Sequence, residues 1–321
     1  MVEARGLVKR FGRTVALDHV DLTVLRGEQV AILGPNGAGK TTLIHILCTL
    51  LTPDEGRASV GGVDVVKDPV GARRRLGVVF QDPSLDTRLT VAENLEFHGR
   101  IFGVPAKMRR ERITALLELV ELTEWRDKIV RALSRGMQRR LEIARALVHD
   151  ADLLVLDEPT VGLDAQTRAR MWEYLADLQR RRDLTLLVTT HYIEEVDRCD
   201  RVCVIDHGRV LTTDTPAALK AEYGRTTISV MPADRATQDA LVAAYPDAKV
   251  TNEVVLVPVA DAGAAAELMR TYGANLRSIT VEAPTLESVF LSLTGRAIRD
   301  TGADRSDAMR AAARGRGEPP R

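Results

Sequence analysis

Short apolar runs alternate with amphipathic segments along most of the chain. The apolar runs are nearly continuous, which is typical of strands buried on both faces of a parallel sheet. They are Gln29–Leu33, Leu76–Phe80, Leu153–Asp157, Leu184–Thr190 and Val202–Ile205. Helical periodicity between them covers about residues 90–122, the stretch leading to Leu147, and about residues 166–181. The pattern predicts an α/β fold with a mostly parallel sheet.

The chain before this sheet has a different pattern, in which apolar and polar residues alternate between turns. Ala4–Val8, Val15–Leu17 and Val20–Val24 predict short antiparallel strands that precede the strand at Gln29. After a break at Thr52–Gly56, the segment Val60–Val65 resembles a hairpin.

Beyond about Gly224 the pattern reads strand, helix, strand, helix and strand, followed by a last helix. The strands are Thr227–Met231, about Lys249–Val259 and Leu276–Glu282, and the helices are Ala236–Tyr245, Ala262–Tyr272 and Leu286–Leu293. A break near Asn252 leaves open whether the middle strand is one strand or two. The order predicts a small ferredoxin-like α+β unit.

These patterns divide the chain into three parts. We predict a first domain over residues 1–224 and an accessory domain over residues 225–298. From residue 299 to 321, Arg, Asp, Ala, Gly and Pro predominate, and we predict a disordered tail.

Composition and charge narrow the possible functions. Basic and acidic residues number 45 each, which argues against a dedicated nucleic-acid binder, because such proteins usually carry a basic excess. The N-terminus lacks the features of a signal peptide, and no apolar run approaches the length of a bilayer-spanning helix. We therefore expect a cytosolic chain that contacts a membrane only through a partner. The three cysteines lack zinc-site spacing and are interpreted as buried apolar residues.

A phosphate-binding loop follows the strand Gln29–Leu33. Its residues are Gly34, Pro35, Asn36, Gly37, Ala38, Gly39, Lys40 and Thr41, with Thr42 behind them. In this strand–loop–helix context, glycines let backbone N–H groups and a helix N-terminus face the phosphates of a nucleotide. Lys40 adds a positive charge, and the Thr41 hydroxyl is placed to ligate Mg²⁺. The alternative is an ordinary glycine-rich turn, which the full spacing and both flanks disfavour.

Two acids, Asp157 and Glu158, end the apolar strand that begins at Leu153. At the carboxyl edge of a parallel sheet they would lie beside the phosphate-binding loop. One acid can hold Mg²⁺, and the next can accept a proton from the water that attacks the γ-phosphate. Alone, the pair would equally fit a strand end with solvated acids.

Six motifs occur in the order found in ATP-binding cassette (ABC) ATPases, and the chain resembles that family from about Val2 to Leu219. The matching segments are Gly34–Thr41, Gln81, Leu133–Met137, Asp157–Glu158, Gly162–Asp164 and His191. They are similar to the family's P-loop, Q-loop, signature, Walker B, D-loop and switch histidine. Phe11 occupies the position of the family's base-stacking aromatic residue.

The resemblance implies a P-loop fold with an antiparallel β subdomain and a helical subdomain. It also implies that two copies face each other head to tail with ATP between them. Ser134 and Gly136 of one copy would then contact the γ-phosphate held by the other copy, and Asp164 would join the two sites.

Within one copy, the resemblance implies further roles. Asp157 would organise Mg²⁺ together with Thr41 and Gln81. Glu158 would be the catalytic base, and His191 would contact the γ-phosphate. The expected reaction is the hydrolysis of ATP to ADP and phosphate.

The signature departs from the family's usual Leu-Ser-Gly-Gly-Gln, because Arg135 replaces the first glycine and Met137 replaces the glutamine. If the turn needs a positive φ, Arg135 strains it; otherwise Arg135 adds a charge near phosphate. The departure puts the rate of hydrolysis in question more than the binding of ATP.

The C-terminal segment Glu282–Arg296 resembles the ending of daunorubicin-resistance-type ATP-binding subunits. This resemblance implies the ATPase subunit of a bacterial exporter of a drug, antibiotic or other hydrophobic compound, docked at the cytoplasmic face of the membrane on separate permease subunits. One alternative is a non-transport ABC ATPase that acts on nucleic acid or ribosomes. The other is a binding module with an inactive nucleotide site.

Overall fold

The computed structural model describes residues 1–251, 253–259 and 263–294. The predicted tail over residues 299–321 lies outside the described residues. The described chain forms two compact units, the first over Met1–Thr213 and the second from Asp214 onward.

The first unit contains ten strands and seven α-helices within the described residues. The strands are β1 (Val2–Phe11), β2 (Thr14–Val24), β3 (Gln29–Leu33), β4 (Glu55–Val60), β5 (Val63–Asp64), β6 (Leu76–Val79), β7 (Leu153–Asp157), β8 (Thr185–Thr190), β9 (Arg201–Asp206) and β10 (Arg209–Asp214), the last of which ends at the boundary. The helices are α1 (Lys40–Leu47), α2 (Pro69–Arg75), α3 (Val91–Ile101), α4 (Ala106–Leu119), α5 (Arg135–Leu147), α6 (Ala165–Arg182) and α7 (Ile193–Val196).

One sheet of this unit is antiparallel, with the order β2-β1-β4-β5. The predicted hairpin at Val60–Val65 is present as the pairing of β4 with β5. The short strands predicted before residue 29 are wrong in number. They form two long strands that are joined by a tight turn at Gly12 and interrupted by register shifts instead of loops.

The second sheet has the order β10-β9-β3-β8-β7-β6. The pairs that join β9, β3, β8, β7 and β6 are parallel, and every residue of β3, β7 and β8 is buried. The predicted parallel α/β sheet is therefore confirmed. Apolar residues from both sheets and from α1 share one core, which includes Val2, Leu17, Ile44, Val155 and Leu187.

Helices α3, α4 and α5 pack together as a helical layer. The helical stretch predicted over residues 90–122 is two helices, because Gly103 has a φ of +68° and Pro105 stands at the N-cap of α4. Thr90 begins α3 with a capping box, since its side chain accepts from Glu93 while the Glu93 carboxylate accepts from the Thr90 backbone.

The second unit is an antiparallel sheet with helices. It contains α8 (Pro216–Tyr223), β11 (Thr226–Pro232), α9 (Arg235–Ala244), β12 (Lys249–Thr251), β13 (Val254–Val259), α10 (Gly263–Tyr272), β14 (Leu276–Glu282) and α11 (Leu286–Thr294). The sheet order is β12-β13-β11-β14, so the middle strand of the predicted pattern is two strands. Its core includes Ile228, Val230, Leu241, Val257 and Leu268.

Helix α8 packs against α11 and therefore lies in the second compact unit. The division between the units falls before α8, whereas the sequence-based boundary near Gly224 falls after it. Among the described residues, no helix combines the length and apolar character that a membrane crossing requires.

The shared core of the first unit predicts a contrast between two leucine substitutions. Leu187 on β8 is fully buried, whereas Leu25 after β2 is 59% exposed. Leu187→Ala should lower the free energy of unfolding by about 2–5 kcal/mol, and Leu25→Ala should change it by less than about 0.5 kcal/mol. Urea denaturation followed by the fluorescence of Trp125 and Trp172 measures both values. Equal losses would contradict the assignment of Leu187 to the core.

Candidate functional site

The loop between β3 and α1 is shaped by close backbone contacts. A Cβ on Gly34 would lie 2.3 Å from the carbonyl oxygen of Ile205. A Cβ on Gly39, whose φ is +105°, would lie 2.5 Å from the carbonyl oxygen of Ala16. The N–H of Gly208, in the turn between β9 and β10, donates to the carbonyl of Ala38 at 3.0 Å. Neighbouring strands therefore hold this loop in a fixed shape.

Lys40, the first residue of α1, points its ammonium group back over this loop. Its Nζ donates to the carbonyls of Gly34 at 2.8 Å and Pro35 at 3.1 Å, and it lies 3.5 Å from Oε1 of Glu158. Burial lowers the pKa of Lys40, and the negative charge of Glu158 opposes that shift. The other loop residues differ in exposure: Asn36, Gly37 and Thr41 are exposed, Ala38 is buried, and Thr42 is half-buried.

Thr41 and Asp157 form the oxygen pair that could hold a metal ion. Oγ1 of Thr41 donates to Oδ2 of Asp157 at 3.3 Å, and Oγ1 of Thr189 on β8 donates to Oδ1 at 2.5 Å. Over the described ranges, no three His, Cys, Asp or Glu residues are grouped so that they could hold a metal ion. One carboxylate and one hydroxyl nevertheless fit Mg²⁺, which usually keeps several waters and takes its other ligands from substrate phosphates.

Glu158 stands directly after β7 in a left-handed backbone conformation, with a φ of +47°. Its N–H donates to the carbonyl and to Oγ1 of Thr189, at 3.1 and 3.0 Å, and its Oε1 lies 3.3 Å from Nδ1 of His191. Burial acts to raise the pKa of Glu158, but the hydrogen bond with His191 and the charge of Lys40 outweigh it, so the pKa lies below its usual value. The carboxylate is therefore ionised at neutral pH and able to accept a proton.

The structure thus brings five predicted residues into one cluster: Lys40, Thr41, Asp157, Glu158 and His191. Two other predicted residues, Gln81 and Phe11, belong to the same unit and are exposed. Gln81 lies in an exposed turn that follows β6. Phe11 ends β1 with half of its surface exposed, and Nζ of Lys9 lies 5.7 Å from its ring centroid.

The signature residues form a second group at the start of α5. Ser134 is the N-cap, and its Oγ accepts from the N–H of Met137 at 3.3 Å. Gly136 packs closely on α6, since a Cβ there would lie 2.9 Å from Cγ2 of Thr167. Asp164 caps α6 by accepting from the N–H and Oγ1 of Thr167, at 2.9 and 2.7 Å. The signature and the D-loop of one chain are therefore neighbours.

Arg135 does not strain the signature turn. It is the first residue of α5, and its φ is not in the left-handed region. Its side chain is exposed, and its Nη1 would lie 3.8 Å from a Cβ on Gly162. The structure therefore excludes the interpretation that Arg135 strains the turn. The other interpretation, that Arg135 adds a positive charge at the helix N-terminus, is retained.

Sequence reasoning missed Arg139, a buried arginine of α5. It donates to the carbonyls of Pro159 at 2.9 Å and Phe80 at 2.7 Å, and to Oε2 of Glu142 at 2.8 Å. Arg139 thereby ties the helix that follows the signature to the loops at the ends of β6 and β7. The available signal was a charged pair, Arg139 and Glu142, on the apolar face of an amphipathic helix.

The sequence is similar to those of known ATP-binding proteins. The sequence profile described as ABC transporter matches residues 17–161. The chain is 41% identical over 299 residues to the daunorubicin resistance ATP-binding protein DrrA3 of Streptomyces coeruleorubidus, which covers 90% of this chain and 94% of the relative. It is 43% identical over 307 residues to the Nod factor export ATP-binding protein I of Burkholderia lata, with coverages of 93% and 98%. The chain belongs to the ABC transporter family.

A solved structure supports the fold. The dimeric ATP-binding cassette MJ0796, bound to ADP and Pi, matches 67% of this chain and 98% of its own length at 29% identity, with a TM-score of 0.60. The predicted P-loop ABC fold and the resemblance to daunorubicin-resistance subunits are thus confirmed, and membership of the family makes the chain an ATPase. A non-transport ABC ATPase is not favoured, because the two sequence relatives are named for drug resistance and for export.

Two P-loop glycines should respond differently to alanine. Gly37 has a φ of +83° with no atom near a Cβ, so Gly37→Ala should cost only the left-handed strain, about 1–2 kcal/mol. Gly39→Ala adds a clash with the backbone of Ala16 and should cost about 1–3 kcal/mol more than Gly37→Ala. Urea denaturation of both variants tests this order. A Gly37 variant that is the less stable of the two would contradict the described loop.

Proposed function

We propose that this chain is the ATP-hydrolysing subunit of a bacterial ABC exporter. It would dock on separate membrane-spanning subunits at the cytoplasmic face of the membrane and drive the export of a drug, antibiotic or other hydrophobic compound. The names of the relatives support the export class. The proposal rests chiefly on one cluster of side chains at the carboxyl ends of β7 and β8. In it, Glu158 lies 3.5 Å from Lys40 and 3.3 Å from His191.

Each residue of the cluster has a chemical task in this proposal. Lys40 and the N–H groups at the start of α1 bind the β- and γ-phosphates. Thr41 and Asp157, with Gln81, would hold Mg²⁺, which when bound neutralises charge that develops on the phosphates. Glu158 accepts a proton from the attacking water, and its low pKa keeps it available over the neutral range.

His191 has two tasks in the proposed site. Its contact with Glu158 would keep the carboxylate oriented, and its ring would contact the γ-phosphate. Phe11 at the end of β1 would stack on the base of the nucleotide, for which its exposed ring is available. The remaining loop residues, which are Gly34, Pro35, Asn36, Gly37, Ala38, Gly39 and Thr42, would enclose the phosphates with backbone groups.

We propose further that two copies of the chain enclose ATP. Ser134 and Gly136, at the N-terminus of α5, would contact the γ-phosphate bound by the other copy, and Asp164 would join the two sites. The dimeric form of the similar cassette MJ0796 supports this arrangement. The partners are therefore ATP, a second copy and the permease subunits, with no role for nucleic acid.

The C-terminal accessory domain, proposed over residues 225–298, is assigned as ferredoxin-like. The element order from β11 to β14 is strand, helix, strand, strand, helix, strand, and the strands are antiparallel with the second and third hydrogen-bonded to each other. This order is the one expected for a ferredoxin-like unit.

Replacement of Glu158 by glutamine tests the catalytic base. Glu158→Gln should reduce kcat by about 10²–10⁴-fold and leave ATP binding intact, because glutamine keeps the shape but cannot accept the proton. Steady-state phosphate release and equilibrium binding of ATP measure the two effects. The exposed Glu124→Gln serves as the matched control. Near-normal turnover of Glu158→Gln would remove Glu158 from the role of base.

Replacement of Arg135 tests the added charge in the signature. If the guanidinium contacts the phosphate of the other copy, Arg135→Ala should weaken ATP-dependent dimerisation by about tenfold, the effect of one charge-assisted contact. Light scattering with ATP in a Glu158→Gln background, which retains bound ATP, measures dimerisation. Arg131→Ala, also exposed, is the control. Unchanged dimerisation of Arg135→Ala would exclude the contact.

A further inference from the structure

A buried carboxylate outside the matched motifs connects the loops that carry Glu158 and His191. This residue is Glu195 in α7, which is 3% exposed. Its Oε1 accepts a hydrogen bond of 2.5 Å from Oγ1 of Thr160, and its Oε2 accepts one of 2.7 Å from Oγ1 of Thr190. Thr160 lies two residues after Glu158, and Thr190 directly precedes His191. One side chain therefore joins both loops.

Arg168, in the first turn of α6, extends this connection toward the D-loop. Its Nε lies 3.8 Å from Oε1 of Glu195, and its guanidinium lies 3.9 Å from the ring centroid of Tyr192. The ring of Tyr192 lies 4.2 Å from that of His191. The N–H of Arg168 donates to the carbonyl of Asp164 at 2.9 Å. The start of α6 is thus linked to the switch histidine through one arginine.

The same turn of α6 also contacts the signature motif. Thr167 satisfies both carboxylate oxygens of Asp164 and packs its methyl group against Gly136. Two neighbouring residues of one helical turn therefore contact different parts of the unit. Thr167 contacts the signature, and Arg168 contacts Glu195 beside the catalytic cluster.

The energetics favour a positioning role for this buried acid. An ionised carboxylate in the interior is costly unless it is hydrogen-bonded and paired. Each carboxylate oxygen of Glu195 accepts a hydrogen bond, and Nε of Arg168 lies 3.8 Å from Oε1, so the side chain is satisfied in its buried position. Because Glu158 and His191 are 3.3 Å apart, small shifts of either loop change their contact. A displacement of about 1 Å of a catalytic group can reduce turnover by about 10²-fold.

We propose that Glu195 and Arg168 are positioning residues that hold Glu158 and His191 together and couple them to the start of α6. Through Thr167, the same turn also contacts the signature, which would bind the ATP held by the other copy. Closure of the signature on one ATP would then adjust the catalytic base at the other. This inference rests on the proposed function.

The test compares single and double variants of the full chain. Glu195→Ala should lower kcat by about 10–100-fold, with the KM for ATP and ATP binding changed less than about twofold, because the phosphate contacts stay intact. Arg168→Ala should lower kcat by about tenfold. The double variant should be no slower than Glu195→Ala, since the two residues act through one link. Glu195→Gln keeps one side-chain oxygen that can accept a hydrogen bond from a threonine hydroxyl, and it should recover most of the lost activity.

Controls separate positioning from stability and from the proposed function. Glu194→Ala, an exposed neighbour in α7, should retain wild-type kcat. If Glu195→Ala does not fold, Arg168→Ala carries the test, because the side chain of Arg168 is 27% exposed and its removal should leave the fold intact. Wild-type kcat in Arg168→Ala, or independent effects of the two alanine substitutions in the double variant, overturns the inference. A wild-type chain without ATPase activity would instead overturn the proposed function.

Discussion

The parallel pairing of β3, β8 and β7 determines where the residues of the candidate site lie. Leu33 pairs with Thr190, and Thr189 pairs with Asp157, so the three strands end level with one another. The loop that begins at Gly34, the acidic pair Asp157 and Glu158, and His191 then leave the sheet at one edge. A slip of one residue would turn every side chain of a strand to the opposite face. Because every residue of these strands is buried, such a slip would require both faces of the sheet to repack.

Much of this arrangement could be predicted because its signals are local. Continuous apolar runs mark buried strands, and the spacing from Gly34 to Thr41 marks a phosphate-binding loop. The break in the helical layer was missed, although Gly103 and Pro105 stand in the sequence, since apolar periodicity continues on both sides of them. The conformation of Arg135 was also beyond sequence reasoning, because a signature turn and a helix start differ only in backbone angles.

The buried charged residues were the hardest part to predict. Arg139 and Glu195 look like ordinary polar residues of helices. Their partners are far away in the sequence: Arg139 contacts the carbonyl of Phe80, 59 residues earlier, and Glu195 contacts Thr160, 35 residues earlier. Only the folded chain brings these groups together. Both residues bind loops at the ends of buried strands. The buried charged side chains of this unit therefore fix the geometry of the sheet edge where the candidate site lies.

The left-handed backbone of Glu158 has a consequence for any attempt to stabilise this protein. A residue with a side chain costs about 1–2 kcal/mol in that conformation, whereas glycine adopts it freely and asparagine more readily than most. The carboxylate that we propose as the catalytic base therefore occupies a position where the backbone alone would favour a different residue. Selection of variants for thermal stability alone would favour replacements at this position. A stabilised ABC subunit of this kind should accordingly be selected for turnover at the same time.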